Sequence, residues 1–313
     1  MTWQPIIAGV DGSPASLRAA SFAWRLARAA DAQCVLVHAV PDVWVPGSVA
    51  PLVNSPEIFG KIVSDMRRML GKELGAEIPE AIRQGLVARA GRAGVVLAQV
   101  AREYDAGLIV VGGHHHGALA RGFGGSTAHH LVRTAAVPVL VVEASARALE
   151  RILVAVDFSA AASPTLSAAW RYTDLLNAQM GVVHVIEAGE ASPLLPLTLD
   201  MDLLAKRSQE ELERLVELEA PAVRTDDRFI RQGRADEEIA EQASAWRADL
   251  VVVGSHGKGW IDRLLIGSTA ERLLNRLPTS LLVVPINKPA ARPAVPEKRS
   301  VRPKVRRKGA LIL

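Results

Sequence analysis

Short, largely apolar runs recur along the chain. Between them lie longer stretches in which apolar residues return every three or four positions. The runs fall at 5–10, 33–40, 85–90, 107–112 and 138–143, and again at 151–156, 179–186, 226–231, 249–254 and 280–285. A strand with no polar face is covered on both sides, as in a parallel sheet held between two helical layers. The intervening stretches carry helical spacing: "LAKRSQEELERLVELE" sets Leu204, Leu212, Leu215 and Leu218 on one stripe. Each half therefore reads β-α-β-α-β-α-β-α-β, an α/β pattern.

The second half repeats the first. "IIAGVDGSPAS" (6–16) returns as "ILVAVDFSAAAS" (152–163), aligning Asp11 with Asp157 and Ser13 with Ser159. "VLVHAV" (35–40) returns as "GVVHVI" (181–186), aligning His38 with His184. Residues 108–142 laid on 250–284 without gaps share 15 identities in 35 positions. Between these blocks two anchors compete. One is "IRQG" at 82–85 and 230–233; the other, "GRA" at 91–93 and 233–235, fits the flanking spacing better. Two tandem doubly wound, Rossmann-like domains are expected over 1–146 and 147–287, each a five-stranded parallel sheet in the order 3-2-1-4-5. The last runs, 138–143 and 280–285, would be exposed apolar edges and should pair across a pseudo-twofold axis.

The net charge of +4 is not spread over this body. From Ile286 onward stand nine basic residues and Glu297 alone, leaving 28 basic and 32 acidic residues in 1–285. The Pro/Lys/Arg segment 288–313 reads as a solvated tail, as a salt-sensitive contact for nucleic acid or a membrane surface, or as a dock for a protein partner. No aromatic residue interleaves its charges, which argues against base stacking. The single cysteine, Cys34, excludes internal disulfides and a cysteine zinc cage. The apolar runs fall short of the roughly 20 residues of a membrane span, and the start shows no signal-peptide pattern. A cytoplasmic location is the expectation.

In an open doubly wound sheet, ligands bind beyond the carboxyl ends of the strands where the winding reverses, here between strands one and four of each copy. In the second copy "VDFS" and "VGSHGKG" leave those strands, with Asp157 on one lip and Gly254 and Gly257 on the other. Nine residues further on, Gly267-Ser268-Thr269 opens a helix. Glycines admit an anion to backbone N–H groups, a helix N-terminus favours negative charge, and Ser268 or Thr269 can donate a hydroxyl. Asp157 repels phosphate and suits the base or ribose end of a nucleotide, accepting from an amine or hydroxyl. Val183, in the second strand, completes the set. The first copy offers Asp11, Val37, Gly112, Gly125, Ser126 and Thr127, with His115 where the second has Gly257. An imidazole there either crowds a phosphate or contacts it.

Plainer readings stand beside these. The aspartates and serines after the first strands also suit helix N-caps. His38 and His184 read as structural, and Trp24, Trp170 and Trp246 as packing residues. His114, His115 and His116 with His129 and His130 read as a solvated loop, because adjacent histidines rarely converge on one ion. No metal ligand and no catalytic residue is assigned. A P-loop, a G-x-G-x-x-G turn after strand one and a G-x-S-x-G elbow are all missing. Ser268, Thr269, Lys258 and His256 form no evident base-plus-orienter pair.

Gly254, Gly257, Gly267 and Ser268 satisfy the spacing G-x2-G-x9-G-[ST]. With the early aspartate and the "VVVG" of strand four, the chain over 5–287 resembles the universal stress proteins of the UspA type in their tandem form. The resemblance implies an adenine nucleotide alpha hydrolase-like fold and, in one subclass, ATP binding, often with Mg2+ or Mn2+ at the phosphates. It also implies a role in stress survival or dormancy and pairing through the last strands, with a homodimer as a further level. Three functions follow as expectations: ATP as a regulatory ligand with little or no hydrolysis; a slow ATPase or autophosphorylating protein with Ser268 or Thr269 as acceptor; or a nucleotide-free interaction scaffold.

Overall fold

The computed structural model describes residues 3–42, 55–113, 127–143, 149–187, 201–255 and 266–286. The first half runs β1 (Ile6–Gly9), α1 (Pro14–Ala29), β2 (Cys34–Val40), α2 (Pro56–Leu74), α3 (Glu80–Gln84), β3 (Val87–Ala90), α4 (Ala93–Glu103), β4 (Leu108–Gly112), α5 (Thr127–Thr134) and β5 (Val139–Val142). The second runs β6 (Arg151–Val156), α6 (Ala162–Leu176), β7 (Gln179–Ile186), α7 (Met201–Glu219), β8 (Arg228–Gln232), α8 (Ala235–Ala245), β9 (Leu250–Gly254), α9 (Ser268–Arg276) and β10 (Ser280–Val284). The ten strands form one sheet in the order β3-β2-β1-β4-β5-β10-β9-β6-β7-β8. Each half is thus wound 3-2-1-4-5 with its own strands parallel, as the apolar runs imply.

The halves join where β5 pairs antiparallel with β10, with Leu281 opposite Val141, Leu282 opposite Leu140 and Val283 opposite Val139. Leu140 and Leu282 are equivalent positions of the repeat, so the pseudo-twofold axis passes between them. The Ser280 hydroxyl adds a bond across the seam, accepting from the Glu143 N–H at 3.2 Å.

Because strand side chains alternate, each fully apolar strand feeds two cores. Ile6, Ala8, Ile152, Val154, Leu140 and Leu282 face one layer, which α1, α2, α6 and α7 cover with Phe22, Leu70, Leu166 and Leu212. Ile7, Leu153, Val141 and Leu281 face the other, covered by α4, α5, α8 and α9 through Leu97, Leu131, Ile239 and Leu273. Both cores run across the seam, since an axis normal to the sheet keeps equivalent faces together. Among the described residues no helix is long and apolar enough to cross a membrane.

One local expectation is corrected, and one choice between two anchors is decided. In α7 the buried positions are Leu212 and Val216, whereas Leu218 is 78% exposed. Two residues beyond Val216 is about 200° round the helix, so Leu218 leaves the stripe. The "IRQG" anchors are unrelated: residues 82–84 belong to α3 and residues 230–232 to β8. The "GRA" anchors are equivalent. Gly91 and Gly233 both follow an edge strand with positive φ (132° and 142°), and their N–H groups bond the carbonyls of Val40 and Ile186. Here the backbone itself calls for glycine. The tail 288–313 lies outside the described residues.

Cys34 opens β2 inside the core, and burial pushes its thiol up to about 12. The raised value means the neutral thiol stabilises the fold below the ordinary value of 9.0, and that contribution is lost as pH climbs toward about 12. Iodoacetamide at pH 8 should label the native chain about a hundredfold more slowly than the urea-unfolded chain. Equal rates in the two states would show that the thiol reaches solvent.

Candidate functional site

The turn leaving β1 is closed by its own side chains. Asp11 Oδ1 accepts the Ser13 N–H at 2.9 Å, and Ser13 Oγ accepts the Ser16 N–H at 3.2 Å as the N-cap of α1. The Ser16 hydroxyl donates to the Ser13 carbonyl at 3.0 Å and accepts the Asp11 N–H at 3.1 Å. The second copy repeats the first of these bonds, Asp157 Oδ1 accepting the Ser159 N–H at 3.0 Å. Each aspartate therefore makes an Asx turn, and the capping role falls to serine in the first copy. His38 and His184 are structural: their Nδ1–H groups donate to the Val10 and Val156 carbonyls at 2.7 and 2.8 Å, tying β2 and β7 to the turns.

The residue after each aspartate is left-handed, at φ 85° for Gly12 and 55° for Phe158. Glycine takes this conformation freely, while phenylalanine is strained by roughly 1–2 kcal/mol. Stacking against His184, with ring centroids 3.9 Å apart, offsets that strain.

At the winding reversal of the first copy lies a cavity of about 240 Å³. Asp11, Val37, Gly112 and Thr127, four of the residues singled out from sequence, all line it. His115, Gly125 and Ser126 lie outside the described residues. The strand ends explain the convergence: Gly9 pairs with Val37, and Ala8 with Val110, so the turns after β1 and β4 emerge side by side. Asp11 lines the cavity, as do Thr127, Ala128 and His129 in the first turn of α5, where helical N–H groups have no partner within the helix. The floor is apolar, built from Val37, Leu97, Val111 and Val141.

Gly112 has a packing reason of its own. A Cβ there would sit 2.5 Å from the Ala15 carbonyl carbon and 2.6 Å from its oxygen, because the start of α1 lies directly on the end of β4. Its lack of a side chain is thus required by the packing of the protein itself.

The second copy sets Asp157, Val183 and Gly254 on the same three neighbouring strand ends, with Ala155 opposite Val183 and Val154 opposite Val252. The Gly267 N–H donates to the Ser255 carbonyl at 2.7 Å, docking the start of α9 against the end of β9. This revises the role expected for Gly267. Its amide is committed within the protein and its φ of −59° is ordinary, so the N–H groups offered to an anion are those of Ser268 and Thr269. Gly257 lies outside the described residues.

The copies also differ beside the site. In the second, Asp236 at the start of α8 is 1% exposed and meets Arg234, Arg272 and Arg276 at 3.4, 3.4 and 3.8 Å. In the first the equivalent pair is Gly94 and His130, and a Cβ on Gly94 would fall 2.6 Å from the His130 ring. A buried ion network in one copy replaces close ring-on-backbone packing in the other.

Sequence reasoning missed the walls drawn from elsewhere, above all Leu274 and Leu277 of the second half. Nothing in the local pattern marks them, because they reach the first copy only across the β5–β10 seam.

Comparison with known proteins agrees with this geometry. The model of the universal stress protein family matches the chain twice, over residues 2–143 and 148–285. A universal stress protein of Mycolicibacterium smegmatis is 28% identical over 301 residues, covering 89% of this chain and 96% of that one. One from Mycobacterium tuberculosis is 26% identical over 296 residues with the same coverage. The crystal structure of a universal stress protein from Archaeoglobus fulgidus superposes with a TM-score of 0.61 at 17% identity, over 90% of this chain and 98% of that one, a likeness of fold.

Proposed function

The chain belongs to the universal stress protein family, and from that premise we propose that it binds ATP as a regulatory ligand in a stress-response or dormancy role, with little or no hydrolysis. The observation that carries this reading is the convergence of Asp11, Val37, Gly112 and Thr127 on one cavity, whose lining includes both an aspartate and the first turn of a helix. Adenosine supplies amine and hydroxyl donors suited to Asp11, and its phosphates suit the N-terminal turn of α5. Asp157 and the first turn of α9 repeat the arrangement in the second half.

Of the described lining residues, the titratable ones are Asp11 and His129. Asp11 Oδ1 is engaged by the Ser13 N–H, and His129 Nε2 lies 3.0 Å from Asn275 Oδ1. Bound Mg2+ or Mn2+ would rest on phosphate oxygens. Among the described residues no group of three or more His, Cys, Asp or Glu side chains is placed to hold a metal.

Denaturing the purified chain and identifying the released small molecule by mass spectrometry tests the reading; an adenine nucleotide is expected. In calorimetric titrations with ATP, Asp11→Ala and Asp157→Ala should each weaken their own site by about a hundredfold, roughly 2.8 kcal/mol, which silences it at working concentrations. A wild-type chain that neither carries nor binds adenine nucleotide overturns the reading and leaves the scaffold role. Sustained release of labelled phosphate from γ-labelled ATP, or label on Ser268 or Thr269, would move the protein to the slow ATPase or autophosphorylating class.

A further inference from the structure

Left-handed backbone positions recur in pairs through the repeat: Asp31 with Asn177, Asp105 with Arg247, Gly12 with Phe158 and Gly91 with Gly233. Among the described residues Leu277 stands apart. Its φ is 41° and ψ 66°, and its counterpart Ala135 has no positive φ. The cause is legible: Pro278 follows directly and disfavours the right-handed helical conformation for the residue before it. After Thr134 the next proline comes only at Pro138.

The consequence is a side chain carried across the seam. Leu277 is 5% exposed and lines the first-copy cavity together with Leu274. A Cβ on Gly113 would lie 2.2 Å from Leu277 Cδ2, so any side chain there would force the Leu277 side chain to move. The symmetry-related pair is Ser255 of the second half with Ala135 of the first. A large residue on a bare backbone in one pair thus corresponds to two small side chains in the other. Alongside, His129 of the cavity meets Asn275 of α9 at 3.0 Å. The last turn of α9 therefore supports the same end of the cavity as the first turn of α5.

We propose that the first-copy ligand site is composite, with Leu277 and Asn275 of the second domain acting as positioning residues that set its affinity. This rests on the nucleotide-binding reading above. Leu277 closes the floor at the anion-facing end and keeps water out of it, while Asn275 fixes the His129 ring at the rim. A strained leucine is retained where an alanine serves in the other copy, because its side chain fills space belonging to the neighbouring domain.

The test uses the full chain with one site silenced at a time. In an Asp157→Ala background, where the first copy alone binds, Leu277→Ala should weaken ATP binding by about five- to tenfold, with Leu277→Met restoring it. In an Asp11→Ala background, where the second copy alone binds, the same change should leave affinity within about twofold. Asn275 is exposed, so Asn275→Ala keeps the fold and should weaken the first copy in the same selective way. Equal loss in both backgrounds overturns the proposal, since general loosening then explains it. Unchanged affinity of the first copy in Leu277→Ala and Asn275→Ala overturns it while ATP binding stands. Failure of the wild-type chain to bind ATP removes the underlying reading and the proposal with it.

Discussion

Leu282→Asp will remove a large part of the folding stability of the chain. Leu282 is 1% exposed, sits opposite Leu140 on the pseudo-twofold axis, and belongs to a core shared by both halves. A carboxylate there has only aliphatic neighbours on its face of the sheet, and its desolvation has no compensating partner. The cost should exceed about 4 kcal/mol, against a total stability on the order of 5–15 kcal/mol. Calorimetry should show no transition, or one lowered by on the order of 10 °C. The milder Leu282→Ala should cost about 2–5 kcal/mol. A Leu282→Asp chain melting within a degree or two of wild type would show that the seam adds little to the fold.

Gly112→Ala should destabilise the protein by about 3 kcal/mol with no nucleotide present. The added methyl carbon meets backbone atoms of Ala15 at 2.5–2.6 Å, and backbone cannot swing aside as a long side chain can. Relief requires α1 to lift from β4, which would also reshape the cavity beside Asp11. Chemical denaturation of the ligand-free variant measures this directly. Wild-type stability combined with lost ATP affinity would return Gly112 to a role in ligand approach alone.

That contrast shows where sequence reasoning reached and where it stopped. The spacing of glycines pointed to the turn after the fourth strand, and the structure places Gly112 and Gly254 at the ends of β4 and β9. Spacing does not say what approaches a glycine. At Gly112 it is the first turn of α1, and at Gly113 it is Leu277 from the other domain. Gly267 stood out for a similar reason, yet its N–H is occupied by Ser255 and its backbone is unstrained. Aspartate after the first strand was equally visible. Its hydrogen bond to Ser13 or Ser159 became clear only once the turn was built.

The amino-acid order alone determined the doubled α/β plan and the strands covered on both faces, because these follow from which residues are apolar and at what period. Periodicity is local, and a repeat is read by comparing one stretch with another. Tertiary structure alone decided that Leu274 and Leu277 of the second domain line the cavity of the first, and that the otherwise matching Asp236 and Gly94 positions hold an ion network in one copy and a packed histidine ring in the other. Those outcomes depend on which surfaces meet across an antiparallel seam, a relation between residues more than a hundred positions apart that no window along the chain contains.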